Sequence, residues 1–201
     1  MSIDTQQLQQ ALLAANDPQG ATIIIDPLTE IEVYPTEFLQ QYHIYRVLYQ
    51  NPYKPILLYL GFAPNSPLYQ LAGNPQAYSD LARADQVDLD TRSVALNYAT
   101  VFLEVTRDMS VLVYLVNSVD EITFYPNLTK EEMQARDVIK ERYRWIITSP
   151  VVEVVEDEYI VTAYVVRQQE LERHKLKVSR KGDVESHITV LERDMPVVIG
   201  L

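Results

Sequence analysis

The chain has 201 residues, of which 47% are hydrophobic and 22% are charged, the balance of a globular protein with a sizeable core. Its formal net charge of −11 excludes a typical nucleic-acid-binding protein, since phosphate-backbone binding depends on clustered lysine and arginine. The absence of cysteine excludes disulfides, thiolate nucleophiles and cysteine-based zinc sites.

The chain starts with Met-Ser-Ile-Asp-Thr-Gln-Gln, which lacks the basic start and the apolar core of a signal peptide. Its longest apolar run, Val111–Val116, is far shorter than the roughly 20 residues that span a bilayer. We therefore expect a soluble, cytoplasmic protein with no membrane partner.

Helices and short strands are predicted for the first part of the chain. Asp4 can cap a first helix that runs to about Ala15. The short apolar runs Ala21–Ile25 and Ile31–Tyr34 are predicted as strands. Residues 1–75 are expected to form an N-terminal α/β extension or a small lobe.

Tyrosine is the conspicuous excess in the composition, with 14 copies against 4 phenylalanines and 1 tryptophan. A second helix is predicted from Thr36 to about Gln50, with Tyr42, Tyr45 and Tyr49 on one stripe. Tyrosine combines a large apolar ring with a hydroxyl group, so it is common both in cores and at interfaces. Both roles remain open for these three residues.

The middle of the chain is predicted to mix strands and helices. The predicted strands are Pro55–Leu60, Ser110–Val116 and Glu121–Tyr125. The predicted helices are Asn74–Ala84, which starts with an Asn-Pro pair, and Thr91–Thr106, which Asp90 can cap. Residues 76–201 are expected to form an α+β domain that ends in an antiparallel sheet.

The C-terminal part contains the clearest pattern in the sequence. Thr129 and Glu132 form a capping box for a helix that runs to about Trp145. Four strands follow, at Val151–Val155, Tyr159–Arg167, Leu171–Ser179 and Asp183–Leu191. The last two are joined by Arg180-Lys181-Gly182, a three-residue loop in which glycine takes the left-handed conformation. That loop pairs Val178 with Val184, Leu176 with Ser186 and His174 with Ile188.

Sequence motifs for cofactors and metals are absent. The five glycines are too far apart for a GxGxxG or P-loop motif, which excludes the common nucleotide-binding folds. The three histidines lack metal-ligand spacing. The run Asp88-Leu89-Asp90-Thr91 is better explained by helix capping by Asp90 than by phosphoryl transfer. We expect no cofactor and no metal.

The order of elements resembles the cystatin-like and NTF2-like α+β families. The resemblance covers residues 91–201: the helices at 91–106 and 130–145, followed by the four C-terminal strands. It implies helices packed on a curved antiparallel sheet that forms a cone. In such families the cavity of the cone binds small molecules, performs acid–base chemistry or serves for dimerisation and partner docking, so the fold does not choose a function.

The first functional hypothesis is a non-catalytic binding or assembly module. Its partner would be another protein or a second copy of the chain, and a homodimer is expected. The C-terminal residues 195–201 are apolar where termini are usually polar. Val197 and Ile199 are therefore candidate interface residues, together with the three tyrosines on the predicted stripe.

The second hypothesis is a small-molecule-binding protein or an acid/base enzyme. Its pocket would lie between the C-terminal sheet and the helix at 130–145, with His174, Tyr164 and Trp145 as lining residues. His174 would act as the acid or base if catalysis occurs, because its predicted register places it on an apolar sheet face. A packed His174 without solvent access would favour the first hypothesis.

Overall fold

A computed structural model describes residues 4–53 and 55–200 of the chain. The chain divides into two compact units, Met1–Asp88 and Leu89–Leu201, and helices and one antiparallel sheet are described in each. This confirms the predicted α+β class with helices packed on an antiparallel sheet. The domain boundary predicted after residue 75 stays a prediction. Over the described residues, no helix combines the length and the apolar character needed to cross a membrane.

Unit 1 contains a four-stranded antiparallel sheet. Its strands, which are adjacent in chain order, are β1 (Thr29–Tyr34), β2 (His43–Tyr49), β3 (Ile56–Phe62) and β4 (Tyr69–Gln70). Its helices are α1 (Thr5–Ala14), α2 (Pro18–Ile24) and α3 (Pro75–Ala84). Side chains of α1 and α2 pack with side chains of the sheet, and this core includes Leu8, Leu12, Ile24, Tyr45, Val47 and Leu60. The positions of α1, β1, β3 and α3 confirm the predictions made for them.

The segment predicted as a strand at Ala21–Ile25 is instead the second half of α2. Pro18 occupies the first turn of this helix, a position where the missing N–H of proline costs no hydrogen bond. Asp17 is the N-cap, and its Oδ1 accepts a hydrogen bond of 2.8 Å from the backbone N–H of Gly20. Asp17 and Pro18, which follow shortly after the end of α1, therefore begin α2.

The helix predicted from Thr36 to Gln50 is also wrong, because this region forms β2. Residues 44–49 of β2 pair with β1, and all of β2 pairs with β3, both in antiparallel register. The spacing of the tyrosines fits a helical stripe, but the β-branched and aromatic content of His43–Tyr49 favours a strand. In β2 the residues that reach the α1–α2 core are Tyr45, Val47 and the partly buried Tyr49, which are spaced two apart as a strand requires.

Unit 2 contains a five-stranded antiparallel sheet and two longer helices. The strands are β5 (Val113–Val116), β6 (Val151–Val155), β7 (Glu158–Arg167), β8 (Glu170–Ser179) and β9 (Val184–Glu192). The helices are α4 (Arg92–Val105) and α5 (Lys130–Tyr143), with a 3-10 helix at Val119–Glu121. The sheet order is β5-β7-β8-β9. β6 pairs with the same edge of β7 as β5: β5 pairs with residues 164–167 of β7, and β6 pairs with residues 158–162.

The C-terminal hairpin confirms the predicted register residue by residue. Val178 pairs with Val184, Leu176 with Ser186 and His174 with Ile188. Gly182 has a φ of 83°, the left-handed conformation that the loop requires. The capping box at the start of α5 is also confirmed, since the Thr129 side chain and the Glu132 side chain exchange hydrogen bonds with each other's backbone N–H.

Two local predictions in unit 2 need correction. The predicted strand Glu121–Tyr125 is not formed, because the 3-10 helix occupies its start and Phe124 makes only an isolated bridge to Val197. The N-cap of α4 is Thr91 rather than Asp90. Its Oγ1 accepts a hydrogen bond of 3.3 Å from the backbone N–H of Val94.

Candidate functional site

His174 lies on β8 in a packed environment, and its side chain is only 11% exposed. Its Nε2 lies 2.8 Å from Oε2 of Glu172, whose side chain is 5% exposed. The two residues are two apart on one strand and therefore share a face of the sheet. Glu172 was not predicted as a partner of His174, although an acid two places before a histidine on a predicted strand is a usable signal. This pair is held within the packed sheet and is poorly accessible to a substrate.

The three predicted pocket residues are not brought together. His174 pairs with Ala163 on β7, whereas Tyr164, the next residue of β7, pairs with Arg173. Because successive residues of a strand point to opposite faces, His174 and Tyr164 lie on opposite sides of the sheet. Tyr164 packs in the core that contains Ile139 and Tyr143 of α5.

The third predicted pocket residue, Trp145, follows α5 and is 86% exposed. A side chain this exposed does not line an enclosed cavity. The predicted pocket between the sheet and α5 is therefore not formed by these three residues.

The predicted interface residues also lie in different environments. Tyr42 and Tyr45 are buried, and their rings contact Tyr69 and Phe62 at centroid distances of 5.7 Å and 6.4 Å. Burial raises the pKa of the Tyr45 hydroxyl above its ordinary value of 10.0, so this group stays protonated near neutral pH. Both residues therefore serve the core of unit 1. Tyr49 is half-buried.

The two candidates at the C-terminus differ from each other. Val197 is fully buried in the core that also contains Met195, so it is not available at a surface. Ile199 is 49% exposed. Val197 thus packs in the core of unit 2. Of the two C-terminal candidates, Ile199 is the one that is accessible to a partner.

Among the described residues, open surface grooves lie away from the histidine. One, of about 350 Å³ in unit 1, is lined by residues of α2 and by Tyr49, Asn51 and Ile56. The other, of about 400 Å³ in unit 2, lies beside the start of α5 and is lined by Tyr125–Thr129, Met133 and Arg136. Neither groove contains a histidine. Within the described parts of the chain, no group of three or more acidic or histidine side chains is arranged to hold a metal ion.

The most distinctive surface feature of unit 2 is the segment from Trp145 to Val155, which we call the apolar segment. It contains five exposed large apolar side chains: Trp145, Ile146, Val151, Val154 and Val155. Its second half is β6, which pairs with β7 on one side only. Unlike Ile147, which is buried in the core, these side chains have no interior to fill. The segment is therefore the candidate functional site.

Comparisons with known proteins leave the chain without a match: no protein-family model, no curated protein and no solved structure resembles it significantly. The resemblance to the cystatin-like and NTF2-like families, which rests on the order of the elements, stays a prediction.

Proposed function

We propose that this protein is a non-catalytic binding module that docks a partner protein on the apolar segment of unit 2. The observation that carries the proposal is the 86% exposure of Trp145, next to the exposed Ile146. Tryptophan is a large apolar side chain that is enriched at the energetic centres of protein interfaces. Its exposure in the isolated chain leaves apolar area that a partner can remove from water.

The environment of His174 supports the binding module over the acid/base enzyme. The imidazole is packed against Glu172 in the sheet, and the two proposed lining residues lie elsewhere. A general acid or base must come within hydrogen-bond reach of the proton that it transfers. The small-molecule-binding or enzymatic alternative therefore has no observation in its favour at this residue.

A homodimer is proposed as a second assembly of this protein. Deleting residues 195–201 would remove the buried Met195 and Val197 and would destabilise unit 2 whatever the oligomeric state. The sharper variant is Ile199→Ser, which changes an exposed side chain. A fall in molar mass from dimer to monomer by light scattering would support an interface at Ile199, and an unchanged mass would contradict it. A cytoplasmic location belongs to the same proposal.

The docking proposal is tested by selecting peptides from a displayed random library against the full chain. The selected peptides are then measured against the double variant Trp145→Ser/Val151→Thr. The control is Val33→Thr, which makes only the valine-to-threonine change, at an exposed valine of β1 in unit 1. Peptides that bind the wild type and the control but not the double variant would support the proposal. No enrichment, or equal binding to both variants, would contradict it.

A further inference from the structure

The outer edge of β6 is an unpaired strand edge within the apolar segment. β6 has 5 residues, all of which pair with β7. In the described part of the chain, no backbone hydrogen bond joins residues 151–155 to any other element. The backbone groups on the outer side of β6 therefore have no strand paired with them. Such an edge is a template on which an extended chain can pair.

The side chains of β6 offer apolar contact on both faces of the sheet. Successive side chains alternate, so Val151 and Val155 lie on one face and Val154 lies on the other. All three are exposed, at 48%, 49% and 39%. An added strand would therefore gain cross-strand apolar contacts in addition to backbone hydrogen bonds.

The charge around β6 is negative. Glu153 is an exposed acid at the middle of the strand, and the turn that follows contains Glu156 and Asp157. Arg180 neutralises Asp157 through an ion pair of 2.7 Å. Among the described residues, no ion pair joins Glu153 to a basic side chain. The middle of the edge thus has a negative charge that a basic side chain on an added strand could complement.

Building on the proposed function, we infer that β6 accepts an extended peptide in which basic and apolar side chains alternate, as a sixth strand of the sheet. A second copy of the chain is a poorer occupant. Antiparallel pairing of two β6 strands about a twofold axis would bring Glu153 close to the partner's Glu153, and like charges across strands are destabilising. The acid that favours a basic peptide therefore also opposes self-association through this edge.

The other long strand edges are less suitable. β1 has a single exposed valine, Val33, and its Glu32 is already paired with Arg46 at 3.2 Å. On β9, Ile188 is exposed, and Glu192 is paired with Arg142 at 2.6 Å. Neither edge combines several exposed valines with an acid that has no basic partner, as β6 does.

The inference is tested with a synthetic peptide of about eight residues that alternates lysine with valine, added to the full chain. Amide hydrogen exchange, read by NMR, should slow at the outward N–H groups of β6. Glu153→Lys should weaken binding by about tenfold, because it reverses a cross-strand charge pair. The same variant should improve the binding of a matched peptide that alternates glutamate with valine.

The control is Glu185→Lys, which makes the same charge change at an exposed position of β9 in the same sheet. It should leave lysine–valine binding nearly unchanged. Equal weakening by both variants, no binding, or binding without protection of β6 would overturn the inference. Pairing of two copies through β6, seen as a concentration-dependent protection without peptide, would also overturn it. Library-selected peptides that need Trp145 but do not protect β6 would leave the docking proposal intact while the inference fails.

Discussion

Two buried carboxylates, one in each unit, are satisfied in different ways. In unit 1, Asp85 accepts hydrogen bonds from the backbone N–H groups of Gln40, Gln41 and Tyr42, at 2.5, 2.8 and 2.9 Å. In unit 2, Glu172 lies 2.8 Å from a single side-chain partner, the imidazole of His174. Asp85 thus holds a loop through its backbone N–H groups, whereas Glu172 contacts another side chain of its own strand.

This difference indicates what each carboxylate contributes. Backbone N–H groups cannot leave their position without rearranging the chain, so Asp85 acts as an anchor for the segment that leads into β2. An imidazole can change rotamer or protonation state, so the pair in unit 2 is a local contact on a sheet that is already fixed by its register. The two sites should therefore respond differently to mutation.

The largest expected effect is the loss of Asp85. Asp85→Ala would leave three buried or half-buried backbone donors without their acceptor, at about 1–3 kcal/mol each. We expect a decrease of about 4 kcal/mol in the free energy of unfolding, measured by urea denaturation with circular dichroism. The matched control is Asp80→Ala in α3, the helix that Asp85 directly follows, where an exposed ion pair with Arg83 should contribute less than about 1 kcal/mol. Equal effects of the two variants would contradict the anchoring role.

The pair in unit 2 should give an intermediate effect. His174→Leu leaves the buried Glu172 without its partner, and we expect a loss of about 3 kcal/mol. The double variant Glu172→Met/His174→Leu removes the isolated charge as well. It should be more stable than the single variant by about 1–2 kcal/mol, measured by urea denaturation as a double-mutant cycle. A double variant whose loss equals the sum of the single losses would show that the pair is not coupled.

The same kind of bond as at Asp85 occurs at the surface, where its effect should be smallest. Glu132 accepts a hydrogen bond of 2.7 Å from the backbone N–H of Thr129. This bond lowers the pKa of the Glu132 carboxyl below its ordinary value of 4.5. A depressed folded-state pKa contributes stability that is present above the ordinary pKa and is lost as the pH falls through the folded-state value.

Glu132→Gln should therefore destabilise slightly at neutral pH and should make no difference once the pH is well below the ordinary pKa. The measurement is the melting temperature of both proteins between neutral pH and about pH 3. A difference that grows as the pH falls would have the wrong sign for this account. Thr129→Ala, which removes the other half of the capping box, should cost about 1 kcal/mol.

The parts of the fold that could be predicted are those set by local chemistry. Gly182 at the end of a three-residue loop fixes the β8–β9 register, and Thr129 with Glu132 fixes the start of α5. The segment from Thr36 to Gln50 could not be predicted in this way. Its tyrosines suit a helical stripe as well as a strand, and the pairing with β1 and β3 decides between them.

The candidate site was predictable only in part. Trp145 was identified from its residue type but given a pocket role, because the exposure of a residue at a helix end depends on how the helix packs. The contacts of Asp85 with residues 40–42 could not be foreseen, since no local pattern connects positions that are so far apart in the chain. The Glu172–His174 pair could have been predicted, because residues two apart on a strand point to the same face.

The measurement that most directly tests the proposed function is the fluorescence emission of Trp145, which is the single tryptophan of the chain. Its indole is largely in water, so burial by a docked peptide should shift its fluorescence emission to shorter wavelength. We predict a saturable blue shift when library-selected peptides are titrated into the full chain, and no binding to Trp145→Ser/Val151→Thr in a label-based assay. Tight binding of those peptides with an unchanged Trp145 emission would contradict docking on the apolar segment.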